Sequence, residues 1–256
     1  MRDFPFKYFE DITLSVIVPL YNEGAHVAAN LALLEAEIAG YFRHYEILVI
    51  SDGSTDETNE QICGAAGAKR RAFFFPSNRG KGAVLRHGFK EASGDFIFFI
   101  DGGMEIHPRE IRTFVALMFL YQADIVVGSK RHPQSQVRYP IYRRVLSFIF
   151  QQLVRLGFNF NVTDTQVGIK MFRREVVREI GPWLKADSYA ADLEILGVAA
   201  RLGFRTMIEA PVRLDYFMRG KRSLLRDLFH TLRVGCLLLL DACRVWWRLR
   251  SVPRRQ

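Results

Sequence analysis

The chain predicts an α/β fold, a mostly parallel sheet flanked by helices, on three observations. Short apolar runs recur along its first half: LSVIVPL at residues 14–20, EILVI at 46–50 and FIFFI at 96–100. Runs this short and rich in Val, Ile and Phe read as strands buried on both faces. Between them lie stretches with apolar residues at helical spacing, such as Val27, Leu31, Leu34 and Ile38. Strands alternating with helices of about 10–15 residues build βαβ units. Polar turn residues gather where each run stops: YNEG after the first, SDGSTDET after the second and DGG after the third. Ligands of open α/β sheets sit outside the carboxyl ends of the strands, so these three segments are where a site is expected.

In chain order, residues 14–20 form the first strand, with Pro19 near its end, and the helix carrying Val27, Leu31, Leu34 and Ile38 follows. After the second strand, Ser54 or Thr55 is expected to cap a helix with Asp56 and Glu57 in its first turn, where acids suit the helix dipole. Residues 71–75 give a short third strand that ends at Pro76, and the glycine-flanked loop NRGKG, residues 78–82, opens a helix through Ala92. The strand at 96–100, a helix around 111–121 and a strand at 124–127 continue the alternation. Beyond Gly128 the character changes. Residues 129–144 are polar and basic, and 145–160 are aromatic and apolar. TDTQVGIKMF follows, then a helix over 190–202 with ADLEI near its start and one more strand within 204–212. No internal repeat or low-complexity linker interrupts this order.

A chain of 256 residues is ample for a buried core. The start, Met1-Arg2-Asp3-Phe4-Pro5, has an early acid and a proline with no apolar run after it, which does not read as a signal peptide. Cys63, Cys236 and Cys243 show no metal or disulfide spacing and fit a reducing cytoplasm. The net charge of +9 is unevenly placed: from Arg219 onward there are ten Lys or Arg against two Asp, and residues 1–218 are close to neutral. That asymmetry divides the chain into a domain at 1–218 and a basic helical tail at 219–256. In the tail, Leu225, Leu228, Phe229, Leu232, Cys236, Leu239, Cys243 and Trp246 fall on one face, with Arg226, His230, Arg233, Arg244 and Arg248 on the other. Its longest uninterrupted apolar run, residues 234–240, is far short of the roughly 18–20 needed to span a bilayer. An amphipathic helix of this kind suits an anionic membrane surface; docking on the core or against another subunit is the alternative. A leucine- and tryptophan-bearing face argues against nucleic acid as the partner.

The strand ends carry suitable chemistry. Tyr21 can stack on a base, and Glu23 and Asp52 can accept hydrogen bonds from a base or ribose. Asp101 can reach a diphosphate through a divalent cation. Each piece taken alone also reads as a turn, Asp-Gly above all.

Together, SVIVPLYNEG, VISDGSTDET, NRGKGAVLRHGF and GDFIFFIDGG resemble, in order and spacing, the family 2 glycosyltransferases of GT-A fold, over about residues 14–225. DTQVGIKMF, ADLEIL and RGKRSLL are similar to the dolichyl-phosphate glucose and mannose synthases and their bacterial polyprenyl-phosphate relatives, with the DTQ form leaning toward the glucosyl branch. The resemblance implies a Rossmann-like GT-A sheet and the following roles. Pro19, Tyr21, Glu23, Asp52 and Gly53 line the nucleotide pocket, with Lys81, Arg86, Asp101 and Gly102 on the donor side. Asp101 opens an Asp-x-Asp metal motif whose third position here is Gly103, so Mg²⁺ or Mn²⁺ is expected on Asp101 and Glu105 with the donor diphosphate and water. His107 is expected to be a turn residue. Asp164 and Gln166 shape the sugar pocket.

For the acceptor, a lipid phosphate needs cations beside an apolar groove. Ser129, Lys130, Arg131, Arg138, Arg143 and Arg144 are candidates for the first and residues 145–150 for the second. Arg219, Lys221 and Arg222 resemble a clamp over the diphosphate. The implied reaction is inverting transfer of a hexose from UDP-glucose or GDP-mannose to a polyprenyl or dolichyl phosphate, on the cytoplasmic side of a membrane by a peripheral protein; a homo-oligomer is compatible with it. A phosphate acceptor is already ionised, so Asp192 or Glu194, placed where transferases with hydroxyl acceptors keep a base, is needed only to orient. Two alternatives stand beside this: transfer to a hydroxyl of a glycan or lipid, and a nucleotide-sugar-binding pseudoenzyme, for which Gly103 is the argument.

Overall fold

The computed structural model describes residues 12–138, 151–152, 154, 158, 162–215 and 224–254. The alternation expected for the first half is present: β1 (Thr13–Leu20), α1 (Val27–Ala39), β2 (His44–Ser51), α2 (Thr58–Gly64), β3 (Arg70–Phe74), α3 (Lys81–Glu91), β4 (Phe96–Ile100), α4 (Ile111–Leu120) and β5 (Ile125–Ser129). Then come β6 (Gln136–Arg138), β7 (Ile169–Arg173), α5 (Arg174–Ile180), α6 (Ala191–Arg201), β8 (Met207–Pro211), β9 (Arg213–Asp215) and α7 (Leu224–Leu249).

Seven strands form one sheet in the order β3-β2-β1-β4-β7-β5-β8. Every neighbouring pair is parallel except those of β7, which runs antiparallel to both β4 and β5. Side chains alternate across each strand, so the sheet feeds two cores. On one face, α1 and α4 cover Val16, Val18 and Phe98 with Leu31, Leu34, Phe114 and Met118. On the other, α3, α5 and α6 cover Ile17, Ile97 and Phe99 with Val84, Val176, Leu193 and Leu196.

The structure corrects one sequence expectation and adds three features to the rest. The helix after β2 starts at Thr58 with no side-chain cap, because the polar residues before it are used across loops. Ser54 Oγ accepts from Asn22 N, Asn22 Oδ1 accepts from Thr55 N, and Asp56 accepts from both Gly24 N and Thr58 N. IKMF, whose pattern predicts no element, is part of β7, an interior strand between β4 and β5. Short β6 and β9 pair in a second, parallel sheet, and Leu214 of β9 bridges to Ile106 just beyond the DGG turn. The last helix buries Ala242, Val245 and Leu249 in the core beside α6, while Cys243 and Trp246, placed by the sequence on the apolar face, are exposed.

Candidate active site

The carboxyl ends of β1, β2 and β4 open into a cavity of about 650 Å³. β7 brings a fourth wall. Because it runs antiparallel to β4, the segment preceding it returns to the end of β4, where Asp101 N donates to Gly168 O at 2.8 Å. Thus Gln166, Val167 and Gly168 line the same cavity as Asp101, Gly102, Gly103 and Glu105.

The nucleotide residues inferred from the sequence divide into two groups. Pro19, Tyr21, Glu23, Asp52, Lys81, Asp101 and Gly102 line the cavity. Tyr21 is 48% exposed and so offers a ring face. Asp52 is buried, with Oδ1 accepting from Arg79 N at 2.7 Å and Oδ2 from Gly80 N at 2.8 Å, so its first duty is to shape the NRGKG loop. Gly53 and Arg86 do not line the cavity. Gly53 makes the turn after β2 at φ +67°, with no room for a Cβ against the backbone of Ser77 and Asn78. Arg86 donates to Ala186 O at 2.6 Å and pairs with Asp187, while Gly82 N donates to Asp187 O. These bonds hold the segment at 185–189, which places Ser188 and Tyr189 on the cavity wall; the sequence reading had named neither.

Under the cavity floor is a chain of charges. Lys81 Nζ lies 3.2 Å from Asp101 Oδ1 and 3.1 Å from Asp192 Oδ2. The second contact is an ion pair to an Asp192 oxygen that is otherwise without a partner among the described residues. Lys170 Nζ donates to Asp192 Oδ1 and to Val167 O, both at 2.6 Å. Asp192 and Lys170 are fully buried, whereas Asp101 is 52% exposed. Burial alone would raise the Asp192 carboxyl, but Lys170 and Lys81 outweigh it and hold the group below the usual carboxylate range. Burial, aided by Lys81, pushes the Lys170 ammonium down against the pull of Asp192. Burial acts the same way on Lys81, but Asp101 and Asp192 hold it above the usual lysine range.

Glu194, paired with Asp192 by the sequence reading, is elsewhere. It is buried, its Oε2 accepting from Lys185 N and Ala186 N, and its Oε1 lies 3.1 Å from Arg248 of α7. It braces the segment at 185–189 and does not line the cavity. Asp164 is also buried; it pairs with Lys130 at 3.0 Å and so directs a lysine that does line the cavity. Ser129 is the buried last residue of β5, its hydroxyl 3.3 Å from that of Thr163. Gln166 lines the cavity, and its buried amide nitrogen has no hydrogen-bond partner among the described residues. His107 is a turn residue, its Nδ1 accepting from Arg109 N at 3.1 Å. Arg143, Arg219, Lys221 and Arg222, together with residues 145–150, lie outside the described residues, as does the side chain of Arg138.

Asp101 and Glu105 are the exposed acids on one wall, and among the described residues no group of three or more His, Cys, Asp or Glu is placed to hold a metal ion. That donor set fits a divalent cation carried largely by a ligand's own oxygens and not one caged by protein.

A family model described as "Glycosyl transferase family 2" matches residues 15–181. The dolichyl-phosphate beta-glucosyltransferase of Drosophila melanogaster is 31% identical over 277 residues, covering 98% of this chain and 82% of that protein. That of Saccharomyces cerevisiae is 30% identical over 216 residues, covering 75% of this chain and 64% of its own length. Glycosyltransferase AglD of Haloferax volcanii is 28% identical over 95% of this chain, which spans only 38% of AglD. Among solved structures, glucosyl-3-phosphoglycerate synthase from Mycobacterium tuberculosis in complex with UDP superposes with a TM-score of 0.69 over 95% of this chain and 86% of its own, at 19% identity. That likeness is one of fold, and with the mostly parallel sheet it bears out the GT-A arrangement expected from the sequence.

Proposed function

The chain belongs to glycosyl transferase family 2, and from that premise we propose that it moves a hexose, glucose by likeness to the dolichyl-phosphate glucosyltransferases, from a nucleoside-diphosphate sugar to a polyprenyl or dolichyl phosphate. The observation that carries this reading is the state of Asp192. An acceptor hydroxyl needs a base with a pKa near the working pH. Asp192 stands where such a base belongs, but it is sealed from the cavity, held between two lysines and depressed in pKa. A phosphate oxygen arrives already ionised and needs no base.

In this reading the base stacks on Tyr21, and the diphosphate lies over Lys81 and the NRGKG loop shaped by Asp52. The unpaired amide of Gln166 donates to a sugar hydroxyl, and Lys130, directed by Asp164, meets the acceptor phosphate. The phosphate oxygen attacks the anomeric carbon from the face opposite the leaving group. A new carbon–oxygen bond forms as the bond to the diphosphate breaks, and the centre inverts. Asp101 and Glu105 would hold a divalent cation, Mg²⁺ or Mn²⁺, which when bound would supply positive charge beside the diphosphate.

The test is transfer of labelled sugar from UDP-glucose and from GDP-mannose to polyprenyl phosphate or to the corresponding polyprenol, with Mg²⁺, Mn²⁺ or EDTA. Label is expected in the organic phase with the phosphate acceptor alone and is lost in EDTA. Label on the polyprenol, or on neither lipid while the nucleotide sugar binds, overturns the acceptor assignment.

Among the described residues no helix is long and apolar enough to cross a membrane. We place the protein peripherally, on the cytoplasmic side of a membrane, through the outward face of α7. Leu237, Leu240 and Trp247 are well exposed there, and Arg250 lies over the rings of Trp246 and Trp247 at 4.0 and 4.8 Å. Tryptophan beside arginine suits the boundary of an anionic bilayer. The protein should sediment with anionic vesicles and Trp246→Ser/Trp247→Ser should not; equal sedimentation of the two excludes this face.

A further inference from the structure

Lys170 is a charged side chain with no access to solvent, on a strand in the middle of the sheet. It touches nothing that reacts. Its ammonium is spent on Asp192 Oδ1 and Val167 O, each at 2.6 Å, and its remaining side lies 5.9 Å from the centre of the Phe99 ring. Burying the Lys170–Asp192 pair there is costly, and a pair of apolar residues of similar volume is often as stable or more so. The position therefore calls for a reason beyond packing.

The reason is in the charge balance under the donor site. Asp192 is the shared partner of Lys170 and Lys81, and Lys81 also faces Asp101 on the cavity wall. Two lysines offset two aspartates. Without Lys170 the group carries a net negative charge beneath the place where an anionic diphosphate is to lie, and Asp192 draws wholly on Lys81. With Lys170 present, Asp192 is already neutralised, and Lys81 keeps its charge for the cavity. We infer that Lys170 is a positioning residue for the nucleotide-sugar donor: it offsets Asp192 so that the Lys81 ammonium is directed at, and available to, the donor diphosphate. This rests on the donor half of the proposed function and is independent of the acceptor.

The test measures binding of inorganic pyrophosphate and of UDP, each with Mn²⁺, to the full-length protein by calorimetry. Lys170→Met is expected to weaken both by at least about tenfold, as removal of one buried positive charge close to an anion should. Lys170→Arg is expected to bind within a few-fold of the parent. The decisive variant is Lys170→Met/Asp192→Asn, which removes the buried pair together, leaves no unpaired buried charge and is therefore expected to fold even if the single variant does not. Its balance is neutral again, and most of the lost affinity should return. Thermal unfolding of each variant reports folding separately. Unchanged binding in Lys170→Met, a double variant no better than a folded single one, or a parent protein that binds neither probe overturns the assignment. Failure to find a lipid-linked product would sink the acceptor reading and leave these dissociation constants standing.

Discussion

Gly168→Ala is expected to lower the transfer rate by about 100-fold while leaving the fold nearly as stable as before. A Cβ at this position would lie 1.7 Å from Asp101 Oδ2 and 2.4 Å from Asp101 Cγ. Something must move, and the geometry decides what. The backbone here is fixed, because Gly168 O accepts from Asp101 N and residue 169 pairs with Ile100 in the sheet. The Asp101 side chain is half exposed, so it swings aside at little cost. That swing takes the carboxylate away from Lys81 Nζ at 3.2 Å and from the position proposed for the cation. Misplacing a reacting or charge-bearing group by about 1 Å can cost about 100-fold. Thermal unfolding should shift by only a few degrees, and Mn²⁺-dependent donor binding should fall together with the rate. Gly168→Ala/Asp101→Asn should be no worse than Asp101→Asn alone, because both changes act through one carboxylate. Additive losses would mean that Gly168 serves something other than Asp101.

How much of this could be seen in the chain follows from which forces are local. The strands β1, β2 and β4 were legible because each is a continuous apolar run ending in polar turn residues, and the site at their carboxyl ends followed from topology. β7 was not. Its four residues IKMF carry a lysine in the middle, and a lysine inside an apolar run reads as a solvated side chain. Only Asp192, a long way along the chain and on another element, explains why Lys170 is buried. Periodicity also says nothing of strand direction, and it is the antiparallel course of β7 that brings Gly168 to Asp101. Asp192 and Glu194 looked like a pair of acids with one task. Residues two apart on a helix do not face each other, so one points to the lysines beneath the cavity and the other to the segment at 185–189. In α7 the apolar residues from 237 to 249 recur on more than one side of the helix, so their spacing does not say which side docks; that side is the one with Ala242, Val245 and Leu249, packed in the core with α6.

The second large effect concerns stability and separates the two roles open to Asp192. Asp192→Asn keeps the shape but leaves Lys81 and Lys170 without their shared anion. Breaking a buried ion pair by removing one partner costs about 3–5 kcal/mol, and that loss is expected here at neutral pH. The sign of the pH dependence follows from the shifts. In the parent protein the folded-state pKa of Asp192 lies below its unfolded value. Its contribution is therefore fully present above the unfolded carboxylate range, near pH 4, and is lost as the pH falls through the depressed folded value. In the variant that contribution is gone, and Lys170, already pushed down by burial, is pushed further by Lys81. An unfolded chain then binds more protons than the folded one as the pH rises from 7 toward 10, so the variant should regain stability with rising pH across that window. Chemical unfolding at pH 7 and pH 9.5 measures this directly. A general base would give the opposite pattern: little change in stability, and transfer reduced by a factor of about 10²–10⁴ at every pH where the parent works. A variant as stable as its parent but inactive would return Asp192 to the base role and the acceptor to a hydroxyl.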